Sequence, residues 1–126
     1  MSGTQEHRTI LLAEDEGMLR MAAAELLEDA GYHVLEAADG NHGYEILKSG
    51  TPVDLLISDI KMPGLNGYQL AEAGLALRPH MRVLLMTGYA QEPLPQTMRA
   101  AGVDIIYKPF DFDALVEAAK RMLPAG

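Results

Sequence analysis

The strongest constraint on the fold is an alternation. Five times along the chain, four to six residues rich in apolar side chains precede a segment with helical spacing. The apolar runs are Thr9–Ala13, Tyr32–Ala37, Val53–Ser58, Arg82–Met86 and Asp104–Tyr107. Runs this short, bounded by turn residues, read as buried strands. Between them Leu19, Ala23, Leu26 and Ala30 share one helical face, and Gly31 supplies a stop. Asp39 is an expected N-cap for a helix carrying Ile46 and Leu47 and ending at Gly50. Leu70, Ala73 and Leu77 define a third helix, which Pro79 ends. Pro93 and Pro95 forbid a long fourth helix, so a short one is expected from near Pro95 to Gly102. Asp111 caps a fifth, with Leu115, Ala119 and Met122 inward.

Strands alternating with helices imply parallel strands joined by crossovers. Nearly continuous apolar strands are expected when helices cover both faces of a sheet. With right-handed crossovers, the architecture is a doubly wound α/β sandwich. Periodicity does not give the strand order. The 126 residues suit one domain, expected over 9–123, after a flexible N-terminal segment 1–8.

Composition mainly excludes. The chain carries 18 acidic against 10 basic residues, a net charge of −8. Such a surface disfavours direct nucleic-acid binding or docking on an anionic membrane. The absence of Cys rules out disulfides, thiolate metal sites and cysteine nucleophiles. No apolar run approaches the ~20 residues of a membrane span, and the N-terminus lacks the apolar core of a signal peptide. A cytoplasmic protein with no membrane insertion is expected.

In open α/β sheets, ligands bind beyond the carboxyl ends of the strands. Here those ends carry Glu14-Asp15-Glu16, Asp59, Thr87 and Lys108. Each alone is ordinary, because loops are polar. Together they place carboxylates, a hydroxyl and an ammonium along one edge. Neighbouring strands lie ~4.8 Å apart, and two charges ~4 Å apart repel by ~4 kcal/mol at an effective dielectric of ~20. A cluster of this kind needs compensation, and oxygen ligands suit Mg²⁺ (or Mn²⁺). A divalent ion, an ammonium and a hydroxyl around one carboxylate form a site for phosphoryl transfer. Repulsion is expected to raise the pKa of at least one of Glu14, Asp15 and Asp59.

Four motifs, in order, now carry a resemblance. They are Leu12-Ala13-Glu14-Asp15-Glu16, Ser58-Asp59-Ile60-Lys61-Met62-Pro63-Gly64-Leu65-Asn66-Gly67, Met86-Thr87-Gly88 and Tyr107-Lys108-Pro109-Phe110. From about Thr9 to Leu123 the chain resembles the receiver domain of two-component response regulators, of the chemotaxis type, with a flavodoxin-like fold. The resemblance implies a five-stranded parallel sheet of order 2-1-3-4-5. It implies that Asp59 accepts a phosphoryl group from a histidine kinase or phosphotransfer protein and slowly hydrolyses its own aspartyl phosphate. Asp15 would bind the metal directly, Glu14 through water, and Asp59 and the Lys61 backbone carbonyl would add ligands. Lys108 would pair with Asp59 and then with phosphoryl oxygens, while Thr87 would swing to bond one of them. The Lys108–Pro109 peptide would be cis.

The chain departs from the family at several positions. Glu14 stands where many members have Asp. Ile105 stands where members often carry an aromatic switch, whereas Tyr107 directly precedes Lys108. The prolines alter the fourth helix, part of the usual output face. Gly88 keeps a small residue beside Thr87, and Tyr89 and Lys61 occupy positions that tune hydrolysis. Other residues stay with plain readings: surface positions for His7, His33, His42 and His80, a turn for Gly64 to Gly67, and mostly core filling for the eight Met. Ser58 lacks a nucleophile elbow.

A phosphorylation-dependent switch is the leading reading. A receiver module excised from a hybrid kinase, a pseudo-receiver acting only by interaction, and a metal-dependent phosphatase are the alternatives. No DNA-binding or enzymatic segment follows Leu123 in this sequence, so the output is expected to pass through a surface to an unidentified protein partner.

Overall fold

The computed structural model describes residues 8–88, 94–108 and 111–124. Strands and helices alternate in the order β1 Thr9–Ala13, α1 Gly17–Asp29, β2 His33–Ala37, α2 Gly40–Lys48, β3 Leu55–Asp59, α3 Gly67–Leu77, β4 Arg82–Thr87, α4 Gln96–Ala100, β5 Asp104–Tyr107 and α5 Phe112–Met122. All strand pairs are parallel, in the order β2-β1-β3-β4-β5. Both the alternation and the order agree with expectation.

The period-2 geometry of the strands divides the interior into two layers. Ile10, Leu12, Leu55, Ile57, Leu84 and Met86 face α1 and α5. Leu11, Ala13, Leu56, Val83 and Leu85 face a second cluster with residues from α2, α3 and α4. Each fully buried leucine contributes ~1.5–3 kcal/mol by leaving water. Every residue of β1 and β3 is buried, which is why neither shows a polar face.

Helix ends follow local chemistry. Asp39 accepts from the His42 amide at 2.8 Å and Asp111 from the Ala114 amide at 2.7 Å. Asn66 and Gln69 form a reciprocal capping box at the start of α3. Pro95 precedes a fourth helix of 5 residues, as its ring geometry predicts. Pro93 lies outside the described residues.

The buried faces of two helices are rotated from expectation. On α1 the buried residues are Ala23, Ala24 and Leu27, while Leu19, Leu26 and Ala30 are only half-buried. On α3 they are Gly67, Leu70, Ala71 and Gly74; Ala73 is half-buried and Leu77 exposed. On α1 the fully buried Leu27 is accompanied by Ala23 and Ala24, and on α3 the fully buried Leu70 by Gly67, Ala71 and Gly74, so each inner face combines one large side chain with small ones. The methionines also divide. Met81, Met86, Met98 and Met122 are buried, whereas Met18 and Met21 are exposed on α1. His33, His42 and His80 are exposed, as expected, and His7 lies outside the described residues. Among the described residues, no helix is long and apolar enough to cross a membrane.

Candidate functional site

The alternation that builds the two layers also arranges the polar strand ends. Glu14 follows β1 in phase with Leu12, Asp59 ends β3 in phase with Ile57, and Lys108 follows β5 in phase with Ile106. All three belong to the face covered by α1 and α5. Because β1 and β3 are neighbours, Glu14, Asp15 and Asp59 converge. One carboxylate oxygen from each lies within 4.8 Å of the others. Glu14 and Asp59 are buried, whereas Asp15 is exposed.

Lys108 compensates this charge from across the sheet. Its Nζ lies 3.1 Å from Asp59 Oδ2 and 3.3 Å from Glu14 Oε1. The other Glu14 oxygen, Oε2, accepts the Glu16 amide at 3.0 Å. Burial is the main cause that raises the Glu14 pKa, opposed by the Glu16 amide; Asp59 raises it further and Lys108 lowers it. Burial pulls Lys108 down, but its hydrogen bond to Asp59 and the charges of Asp59 and Glu14 outweigh this, leaving its pKa raised. Repulsion thus acts on Glu14 as expected, although desolvation is the larger cause. Glu14 and Asp59 thus share the Lys108 ammonium.

Beside the carboxylates lies an open pocket of about 730 Å³, lined by Asp15, Ile60, Lys61, Met62, Asn66 and Thr87 among others. Thr87 ends β4 buried, and its carbonyl accepts the Lys108 amide at 2.7 Å. The loop carrying Lys61 is fixed by close backbone approach. A Cβ on Gly67 would stand 2.5 Å from the Asp59 carbonyl oxygen, so only glycine lets α3 begin against the end of β3. The Gly67 amide donates to the Ile60 carbonyl at 2.8 Å and completes the turn. At Gly88, by contrast, a Cβ would meet nothing within 4 Å.

Ile105 is half-buried against the cluster containing Met98 and Val103. Tyr107 is 43% exposed and stands opposite Thr87 in the β4–β5 ladder. Tyr89, Pro109 and the Lys108–Pro109 peptide lie outside the described residues.

Sequence reasoning missed Arg20 and Glu36. Arg20, on α1, donates from Nη1 to the Glu14 carbonyl at 2.8 Å and from Nε to Glu36 Oε1 at 3.2 Å. The available signal was a cation one turn into the helix that follows the acid pair, facing a glutamate in the strand next to β1.

The donor set suits a hard divalent ion, since carboxylate oxygens converge at the mouth of a polar pocket with one of them in solvent. Comparison with known proteins agrees. Residues 10–120 match the family described as response regulator receiver domain. The response regulator receiver protein CpdR of Brucella abortus is 35% identical over 120 residues, covering 94% of this chain and 99% of that protein. The receiver domain of the hybrid histidine kinase CckA superposes with a TM-score of 0.77 at 38% identity, covering 91% of this chain and 98% of that one. Response regulator TrrA of Thermotoga maritima, in complex with Mg²⁺–BeF, gives a TM-score of 0.81 at 30% identity, covering 92% and 99%.

Proposed function

The chain belongs to the response regulator receiver domain family, and from that premise we propose that Asp59 is its phosphoacceptor in a two-component relay. The observation that carries this reading is the contact of Asp59 Oδ2 with Lys108 Nζ at 3.1 Å, within a cluster of three carboxylates. A carboxylate oxygen can serve as the nucleophile of a covalent step, and the ammonium beside it orients it. One Asp59 oxygen attacks phosphorus as the P–N bond of a phosphohistidine breaks, and the electron pair leaves on the imidazole nitrogen. The donor is a histidine kinase or phosphotransfer protein in the cytoplasm.

Asp15, Asp59, Glu14 and the Lys61 backbone carbonyl would hold Mg²⁺, Glu14 through water, since Lys108 and the Glu16 amide already engage both of its carboxylate oxygens. When bound, the ion offsets the negative charge that gathers as a phosphoryl group meets the carboxylates. Lys108 exchanges Asp59 for a phosphoryl oxygen, and the Thr87 hydroxyl bonds another. These shifts at the ends of β4 and β5 reach the surface around α4, where a protein partner reads the state. Among the described residues Tyr107, directly opposite Thr87, is the aromatic placed to register them, while the half-buried Ile105 packs against the core.

Incubation with acetyl phosphate and Mg²⁺ tests the reading. A mass gain of one phosphoryl group is expected, lost on chelation and in Asp59→Asn. Absence of any gain on the folded wild type overturns it.

A further inference from the structure

We infer that Arg20 is a positioning residue for the metal site: it orients the Glu14–Asp15 peptide and so sets the affinity for Mg²⁺. The inference rests on the proposed role of Asp15 as a metal ligand.

Between β1 and α1 only Glu14, Asp15 and Glu16 intervene, and this short connection presents the exposed Asp15 carboxylate. Its entry into the helix is weakly fixed. Glu16 occupies the N-cap but makes no side-chain cap hydrogen bond, and the first turn of α1 has no acidic residue. The Glu14 side chain holds the Glu16 amide at 3.0 Å, which leaves the Glu14–Asp15 peptide itself to be held. The Glu14 amide donates to the Ala37 carbonyl of β2 at 3.0 Å, which fixes the strand side. The Glu14 carbonyl is the next group along, and Arg20 Nη1 binds it at 2.8 Å.

That carbonyl lies in the same rigid peptide plane as the Asp15 nitrogen. Holding the oxygen therefore fixes the plane from which Asp15 departs, and with it the reach of the Asp15 carboxylate. The guanidinium is itself held at a second point, by Glu36 Oε1 at 3.2 Å, and its side chain is only 19% exposed. A planar fork bound at two points resists rotation as a single-point ammonium does not. The clamp thus joins α1, the β1–α1 connection and β2.

Charge and position make opposite predictions, which makes the inference testable. Removing a cation near three carboxylates strengthens Mg²⁺ binding if Coulomb attraction alone matters. Removing a positioning contact weakens it. Mg²⁺ titrations of wild type, Arg20→Lys and Arg20→Gln, followed by amide NMR shifts well below each melting temperature, separate the two. Both variants are expected to bind Mg²⁺ about tenfold more weakly, the low end for outer-shell partners of metal ligands. Denaturant unfolding in chelator checks that each variant is folded. Unchanged affinity in Arg20→Lys, or tighter binding in Arg20→Gln, overturns the inference while the metal site stands. Failure of the wild type to bind Mg²⁺ at all overturns the site reading and the inference with it.

Discussion

Replacing Lys108 with Met deletes the ammonium but keeps most of its apolar stem. Counting Glu14, Asp15, Asp59 and position 108, the formal charge of the cluster falls from −2 to −3. Two side chains lose a partner: Glu14, 2% exposed, and Asp59, 11% exposed. Removing one member of a buried ion pair costs ~3–5 kcal/mol, because the remaining charge is stranded. Lys108 is itself 27% exposed, and water screens the pair in the wild type. The expected loss is therefore ~2–3 kcal/mol in chelator. For a domain of this length that lowers Tm by roughly 6–15 °C. Mg²⁺ at ten times its Kd returns ~1.4 kcal/mol to the wild type. It should return more to the variant, whose site is more negative. Urea and thermal unfolding followed by circular dichroism, with and without Mg²⁺, measure both effects. Asp59→Asn, which takes the cluster to −1, is expected to stabilise the metal-free fold. A Lys108→Met protein within ~0.5 kcal/mol of wild type in chelator, below the cost of an ordinary hydrogen bond, would refute the reasoning.

Glu14 sets a pH dependence. Burial holds its pKa above the ordinary 4.5, so the ionised form is penalised in the fold. The penalty is absent below 4.5, grows as pH rises through the ordinary value, and is complete above the raised one. The stability of Glu14→Gln relative to wild type should therefore increase over that window, as denaturant unfolding across pH will read. Lys108 acts in the alkaline range: its stabilisation is full below 10.5 and is lost as pH rises through its raised pKa, a component absent from Lys108→Met. Gly67→Ala drives a Cβ against the Asp59 carbonyl and the Ile60 Cα, backbone that cannot yield cheaply. It should cost ~1–3 kcal/mol and slow phosphorylation from acetyl phosphate, while Gly88→Ala, which meets open space, leaves stability within ~0.5 kcal/mol. Tyr32→Phe removes a buried bond of 2.6 Å to the Leu123 carbonyl that ties the end of α5 to the start of β2, and should cost ~1–3 kcal/mol by unfolding.

The architecture was legible because each element carries its own signal. Buried strands are apolar throughout, Asp39 and Asp111 cap where their side chains reach a free amide, and Pro95 opens a helix that it could not continue. Strand order came from the family resemblance, since periodicity is blind to which strands pair. The helix faces of α1 and α3 were displaced because spacing marks out more than one stripe, and the stripe that packs joins Leu27 to Ala23 and Ala24, and Leu70 to Ala71 and Gly74. At the site, the strand-end rule brought Glu14, Asp15, Asp59 and Lys108 into one view. It did not reveal that Lys108 divides itself between Glu14 and Asp59, because that depends on the length of both side chains across three strand ends. Arg20 escaped notice for a related reason: its partner is a backbone carbonyl, and no sequence pattern marks an acceptor that every residue possesses.

The central claim concerns one carboxylate, and its chemistry can be read directly. After reaction with acetyl phosphate and Mg²⁺, borohydride reduces an acyl phosphate to an alcohol, converting a phosphorylated aspartate into homoserine. Peptide mass spectrometry then reports the position. The account predicts homoserine at Asp59 and at no other acidic residue. Reduction at Glu14 or Asp15 instead, or none in a protein that binds Mg²⁺, would contradict it.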